Sequence, residues 1–262
     1  MKFGREIAVA RQAAVRSAAL ATRHQTAGVR AESKADESPV TVADRECEKL
    51  IASILEEAFP EDGMLGEEGA RKESKSGRTW IIDPIDGTRD FVRRNPLWSV
   101  LIGLEEAGEV IVGVVHLPML SQTCWASRGS GAFRNDRRLN VSSIADPTLA
   151  VLSVNSLNRI GGLPFAQTIV AWSQQFWAHR CLGGTPDAIM LAAGELDVWI
   201  EPKVAPWDLA AVQVILEEAG AVFFAFNGAR SIYEGSAIAC SPGLEQHVRE
   251  YFRGTTTHAA VS

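Results

Sequence analysis

The sequence predicts a mixed α/β fold in two packed halves, and three features of its patterning carry that expectation. Two amphipathic helical segments open the chain, a run of strands with turn signals fills residues 97–134, and strands and helices alternate from about residue 145. The change of order near 145 predicts halves at 1–145 and 146–262, interlocked and not independent modules.

In the first half, Phe3, Ile7, Ala10, Ala14, Ala18 and Ala21 recur at helical spacing. A polar loop follows at 31–40. "TVADRECEKLIASILEEAF" reads as a second helix with Cys47, Leu50, Ile51, Ile54, Leu55 and Ala58 on one face, ended by Pro60 and Gly63. After "MLGEEG" and a charged loop, Trp80, Ile81 and Ile82 begin a buried strand. "LWSVLIGLEE" and "EVIVGVVHL" flank Ala107-Gly108 as a hairpin, and "TCWASRGSGAFRN" continues the meander. In the second half "LAVLSVN", "DVWIEP", "AVFFAF" and "SAIAC" read as strands. "PFAQTIVAWSQQFW", "PDAIMLAAGEL", "WDLAAVQVILEEAG" and "PGLEQHVREYF" read as helices, and the tail "GTTTHAAVS" as disordered.

Of the 262 residues, 46% are hydrophobic and 22% charged, enough apolar material for one large domain or two interlocked ones. A net charge of −6 argues against nucleic acid as a partner. Cys47, Cys124, Cys181 and Cys240 form no CxxC pair, so reduced thiols in a cytoplasmic protein are expected. No apolar run approaches the ~18 residues of a membrane span. Arg5, Glu6, Arg11 and Arg16 interrupt the N-terminal apolar residues, unlike a signal peptide.

The chemistry concentrates in acids at element ends. Asp44 in "TVAD" fits a helix capping box, Glu67 can be a plain loop acid, and Asp208 can face a helix dipole. Asp83 and Asp86 resist such readings. A buried strand that ends in two carboxylates needs them paired or bound to a cation. A tight Asp-Pro-Ile-Asp turn, with the Ile85 carbonyl between, offers the hard oxygen donors that Mg²⁺ takes. Gly87-Thr88 then opens a helix whose N–H groups can receive phosphate. His24, His116, His179, His247 and His258 are scattered, and no Cys or His nucleophile motif is present, which favours direct attack by water.

"GEE" at 66–68, "WIIDPIDGT" at 80–88 and "WDLAAVQVILEEAGA" at 207–221, in that order and separation, resemble the inositol monophosphatase family of metal-dependent, lithium-sensitive phosphatases. The resemblance covers nearly the whole chain. It implies a sugar-phosphatase-like layered α/β sandwich: an α+β N-terminal half with an antiparallel sheet, an α/β C-terminal half, and a site fed by acids from both. It implies that Glu67, Asp83 and the Ile85 carbonyl hold one Mg²⁺. Asp83, Asp86 and Asp208 would hold a second, with a third weaker ion by Glu67. The same resemblance implies Mn²⁺ as a substitute and Li⁺ as an inhibitor. Thr88, hydrogen-bonded to Asp44, would orient and activate water together with Glu67, and Gly87 and Thr88 would bind phosphate beside Asp86.

For the leaving group, the resemblance implies Arg180, the turn at Gly184 and Glu201; taken alone, Glu201 is a strand-end acid. "KADESPVTVADRECE", "DFVRRNPLWSVLIGLEEAGEVIVGVV" and "WASRGSGAF" are similar to the family's histidinol-phosphatase branch, but the acid that branch carries after the Arg-Gly turn is replaced by Gly184, Thr185 and Pro186. The expected substrate is therefore a small polyol phosphate such as inositol monophosphate, with histidinol phosphate the alternative. An inactive member kept as a binding or regulatory protein is a further alternative, as is a phosphatase of 3′-phosphoadenosine nucleotides, which would want more basic residues than Arg180 and Lys203. The partners implied are a small phosphorylated metabolite and a second copy in a homodimer, with no nucleic acid or membrane.

Overall fold

The computed structural model describes residues 2–28, 32–33 and 39–258. The chain forms two compact units. The first runs to Arg138 and takes back Trp207–Glu218; the second comprises Leu139–Pro206 and the chain from Ala219 on. The fold is mixed α/β, with helices layered on sheets.

In the first unit α1 (Gly4–Ala27) leads to the short pair β1 (Glu32–Ser33) and β2 (Pro39–Val40), then α2 (Val42–Ala58). The rest of the loop predicted at 31–40 lies outside the described residues. β3 (Gly63–Gly66), β4 (Arg71–Lys72) and β5 (Arg78–Asp86) precede the short helix α3 (Thr88–Arg93). β6 (Ser99–Glu106), β7 (Glu109–Leu117), β8 (Gln122–Ser127), β9 (Gly131–Arg134) and β10 (Arg137–Leu139) form the meander. The eight-stranded sheet has the order β10-β9-β8-β7-β6-β5-β3-β4. Ala107 (φ 52°) and Gly108 (φ 78°) make the β6–β7 turn, with both central residues left-handed as a two-residue hairpin requires.

Strand alternation sorts the two faces. Trp80, Ile82, Val100, Ile102, Val112 and Val114 share one core with Ile7, Ala10, Ala14 and Ala18 of α1 and Cys47, Ile51 and Leu55 of α2. The alternate residues Ile81, Asp83, Leu101, Gly103, Gly113 and Val115 therefore face the other way. Gly103 and Gly113 are partners across β6 and β7. A Cβ on Gly103 would lie 2.6 Å from Ala210 Cβ, and one on Gly113 would lie 2.4 Å from the Ala211 carbonyl oxygen. The paired glycines thus make a floor for α6 (Pro206–Glu218), whose Ala210-Ala211 step lies directly on the sheet. That contact brings α6 into the first unit, whereas chain order had assigned Asp208 to the second half.

In the second unit β11 (Val151–Val154), α4 (Ile169–Ser173), β12 (Ala178–Arg180), α5 (Thr185–Ala192) and β13 (Val198–Glu201) come before α6. β14 (Val222–Phe224), β15 (Ala237–Cys240) and α7 (Glu245–His258) follow it. The sheet order is β12-β11-β13-β15-β14, with β12 and β13 both parallel to β11 and β15 antiparallel to its neighbours. Leu152, Val154, Val198 and Ile200 share a core with Phe165, Trp172, Phe176 and Phe252.

Two expectations, one of a helix and one of a disordered tail, need correction here. Only Ile169–Ser173 of the segment 164–177 is helical. Upstream, the N–H groups of Leu163, Ala166 and Thr168 bond three residues back, to Ile160, Leu163 and Phe165. Aromatic anchoring replaces a continuous helix: Phe165 meets Phe226 and Phe252 edge-on at 5.0 and 5.1 Å, and Trp172 stacks on Tyr251 at 4.3 Å. The tail predicted to be disordered continues α7 as helix to His258, and residues 259–262 lie outside the description. No helix among the described residues is long and apolar enough to cross a membrane. All four cysteines are free thiols, and three of them are buried.

The glycine floor generates a stability prediction. Gly113→Ala should destabilise the protein by about 1–3 kcal/mol, because the added methyl overpacks a backbone contact. Gly161→Ala, with nothing near its Cβ position, is the control. Equal denaturation midpoints for the two variants would show that α6 does not bear on Gly113.

Candidate metal centre

Asp83 and Asp86 are three residues apart, so a regular strand would send them to opposite faces. The pairing of β5 with β6 prevents this. Asp83 is opposite Leu101 and Asp86 opposite Ser99, a step of three residues against two. The extra residue is a β-bulge at Pro84-Ile85, and it restores both carboxylates to one face. Asp83 Oδ1 accepts the Ile85 N–H at 3.0 Å, and Asp86 Oδ2 accepts the Ser99 hydroxyl at 3.1 Å. The proline fits because the bulge leaves its position out of the ladder.

Asp83 points to the face that α6 covers, and Asp208 stands in the first turn of α6. One carboxylate oxygen from each of Asp83, Asp86 and Asp208 lies within 4.8 Å of the others. Glu67, in the loop after β3, is a fourth acid beside Asp83. Burial pushes the Asp83 carboxyl well above its ordinary range, and the charges of Glu67, Asp86 and Asp208 push it further. Such a group of hard oxygen donors fits a divalent cation such as Mg²⁺ or Mn²⁺, which would supply the positive charge the carboxylates need to ionise together. The Ile85 carbonyl is adjacent and accepts the Thr88 hydroxyl at 3.3 Å.

Asp44 makes both of the contacts that the sequence leads one to expect of it. Its Oδ2 accepts the Thr41 N–H at 2.8 Å and the Thr41 hydroxyl at 2.5 Å, closing the capping box of α2. Its Oδ1 accepts from Thr88 Oγ1 at 3.4 Å. Burial, with a smaller push from the charge of Glu67, raises its pKa. Gly87 (φ 81°) turns the chain into α3 in the left-handed region, where a Cβ would lie 3.2 Å from the Leu97 carbonyl oxygen.

Arg180, Gly184 and Glu201 belong to the second unit. Arg180 ends β12 and Glu201 ends β13, so both stand at the C-terminal edge of the three parallel strands. Glu201 is buried and accepts the Ser156 hydroxyl at 2.8 Å, while Arg180 is exposed and donates to the His179 carbonyl. Gly184 is the residue before α5. Sequence reasoning overlooked Asp187, three positions on. It is fully buried, and its Oδ2 accepts the N–H groups of Leu182 and Gly183 at 3.0 Å each. Its Oδ1 is buried without a hydrogen-bond partner among the described residues. The signal was a carboxylate in a first helical turn directly after a Gly-Gly-Thr-Pro sequence, where an acid satisfies turn N–H groups.

The model of the inositol monophosphatase family matches residues 4–256. The histidinol-phosphatase of Mycobacterium tuberculosis is 38% identical, over 84% of this chain and 86% of that protein. A Thermotoga maritima protein named fructose-1,6-bisphosphatase/inositol-1-monophosphatase is 37% identical, over 72% of each chain. The solved structure of a Thermotoga maritima IMPase superposes with a TM-score of 0.84 at 30% identity, covering 94% of this chain and 96% of that one. The bulged pair Asp83 and Asp86, the α6 acid Asp208 and this similarity along the whole chain lead to one conclusion: the protein belongs to the inositol monophosphatase family.

Proposed function

We propose that the protein is a Mg²⁺-dependent phosphomonoesterase that hydrolyses a small alcohol phosphate by direct attack of water. The observation that carries this reading is the meeting of the Asp83, Asp86 and Asp208 carboxylates within 4.8 Å, next to the Thr88–Asp44 contact. Asp83, Asp86, Asp208 and Glu67 would hold the cations. A divalent cation here supplies Lewis acidity and positive charge toward water and phosphate.

The residues divide the remaining work. With its proton directed to Asp44 Oδ1 or the Ile85 carbonyl, Thr88 Oγ1 offers lone pairs to a water proton and so fixes the direction of attack. Glu67 accepts the second proton as the new P–O bond forms. The ester P–O bond breaks, the leaving alkoxide takes a proton from solvent water to become the free alcohol, and Glu67 returns its proton to solvent. Gly87 has no side chain to obstruct the approach of phosphate to the start of α3.

For the alcohol, a polyol such as inositol is the first reading, supported by the buried acceptor Glu201. A second reading, histidinol phosphate, has its own support. The acid that seemed missing after Gly184 has a near neighbour in Asp187, a buried carboxylate in the first turn of α5, and the similar Mycobacterium tuberculosis protein is named histidinol-phosphatase.

Three outcomes are expected. Phosphate release should stop in excess EDTA and return with Mg²⁺, and Asp86→Asn should lower kcat by several orders of magnitude with circular dichroism unchanged. Full turnover after metal stripping would falsify the metal reading. Next, Glu201→Gln should reduce kcat/KM for inositol monophosphate about ten-fold or less, from the loss of one hydrogen bond, and affect p-nitrophenyl phosphate less. If histidinol phosphate is the substrate, Asp187→Asn should instead impair that ester selectively. Lastly, the raised pKa of Asp83 sets a sign for stability without metal. A carboxyl whose folded pKa exceeds its unfolded value contributes stability that is present below the unfolded value and is lost as pH rises through the folded one. Metal-free Asp83→Asn should therefore melt above metal-free wild type, by a margin that grows as pH rises above the ordinary carboxylate range. A margin independent of pH would mean that Asp83 is not a strained carboxylate.

A further inference from the structure

We infer that Glu48 is a positioning residue for the metal centre, acting through the backbone of the loop that carries Glu67. This inference rests on the reading of Glu67 as a cation-holding acid. Glu48 stands one helical turn after Asp44 on α2 and is almost fully buried. A buried carboxylate is costly unless strong donors surround it. Glu48 finds them in the loop: Oε2 accepts the Glu68 N–H at 2.7 Å and Oε1 accepts the Ala70 N–H at 2.6 Å. Both are short, charge-assisted bonds, one from each side-chain oxygen.

The same loop is tied at further points on either side of Glu67. Gly66 N–H donates to the Ala70 carbonyl at 2.8 Å, and Glu67 N–H donates to the Ile82 carbonyl at 3.1 Å, one residue before Asp83. Arg71 donates to the carbonyls of Gly66 and Ala70, and its guanidinium lies over the Trp207 ring, 5.9 Å from its centre, next to Asp208. The seat for Glu48 is close-fitting: a Cβ at Gly66 would lie 2.2 Å from Glu48 Oε2. Gly66 is therefore glycine because the carboxylate of Glu48 occupies its side-chain space. Glu48 fixes the loop relative to α2, the β5 backbone fixes it relative to Asp83, and Arg71 links it to the start of α6. The backbone on either side of Glu67 is held, so its carboxylate stands beside Asp83 without a search over loop conformers.

A glutamine at 48 has similar volume but one acceptor. Its amide would set a donor against one of the two N–H groups, freeing one side of the loop while the helix stays intact. The test is direct binding of Mn²⁺ by calorimetry to wild type, Glu48→Gln, Gly66→Ala and Glu67→Gln, well below each melting temperature. Activity is recorded against Mg²⁺ in parallel. The expected result is Mn²⁺ affinity about ten-fold weaker in Glu48→Gln and Gly66→Ala, the scale typical of residues that orient metal ligands. The Mg²⁺ needed for half-maximal rate should rise equally, with kcat at saturating Mg²⁺ reduced less. If Glu67→Gln weakens binding and Glu48→Gln leaves it unchanged while lowering the melting temperature, Glu48 serves stability alone and the inference fails. If Glu67→Gln itself leaves binding unchanged, the reading of Glu67 is what fails. Should Glu48→Gln not fold, Glu48→Asp, which keeps both acceptors one methylene short, is read in the same way.

Discussion

Bringing several carboxylates together around one fully buried acid is the constraint around which the first unit is built. Asp83 is fully buried on a strand, with Glu67, Asp86 and Asp208 beside it. At a few ångströms, like charges in such a place repel by several kcal/mol even at a generous effective dielectric of about 20. Protons or a cation relieve that repulsion, so the acids that cost the empty fold stability are the ones that would give the site its affinity. Structure and chemistry are one question here.

The scaffold meets that constraint with backbone devices and not with bulk. A single bulge corrects the parity of Asp83 and Asp86, and two facing glycines let α6 lie close enough to deliver Asp208. Glu48 and Arg71 hold the Glu67 loop between α2 and α6. Each device sits where a side chain would obstruct or a regular strand would misdirect. The hydrophobic core behind them, from Trp80 and Ile82 to Leu55 and Ala14, supplies the rigidity against which they work.

The second unit differs in kind. Its three parallel strands end in polar residues, Asn155 after β11, Cys181 after β12 and Glu201 at the end of β13, with the buried Asp187 in the first turn of α5. The Cys181 thiol contacts Asn155 Oδ1 at 3.3 Å. Strand ends of parallel sheets are where α/β folds bind ligands, since loops there can vary without disturbing the core.

Much of this was determined by the sequence itself. Helical spacing marked α1 and α2, the turn at Ala107-Gly108 marked β6 and β7, and Asp-Pro-Ile-Asp-Gly-Thr pointed to the acidic cluster, because two acids ending a buried strand need a cation or a partner. The short elements β3, β4 and β12 were not legible, since two to four residues carry no periodicity and their pairing comes from distant strands. The aromatic spacing of 164–177 mimicked a helix that packing against α7 made unnecessary. Asp187 went unread because its value lies in its burial, which no spacing reveals. Tertiary structure alone decided that Asp208 joins the first unit, that Asp83 and Asp86 share a face, and that Glu48 grips the Glu67 loop. The physical reason is common to all three. Each depends on where two distant pieces of backbone come within van der Waals or hydrogen-bond distance, and local sequence encodes propensity, not that proximity.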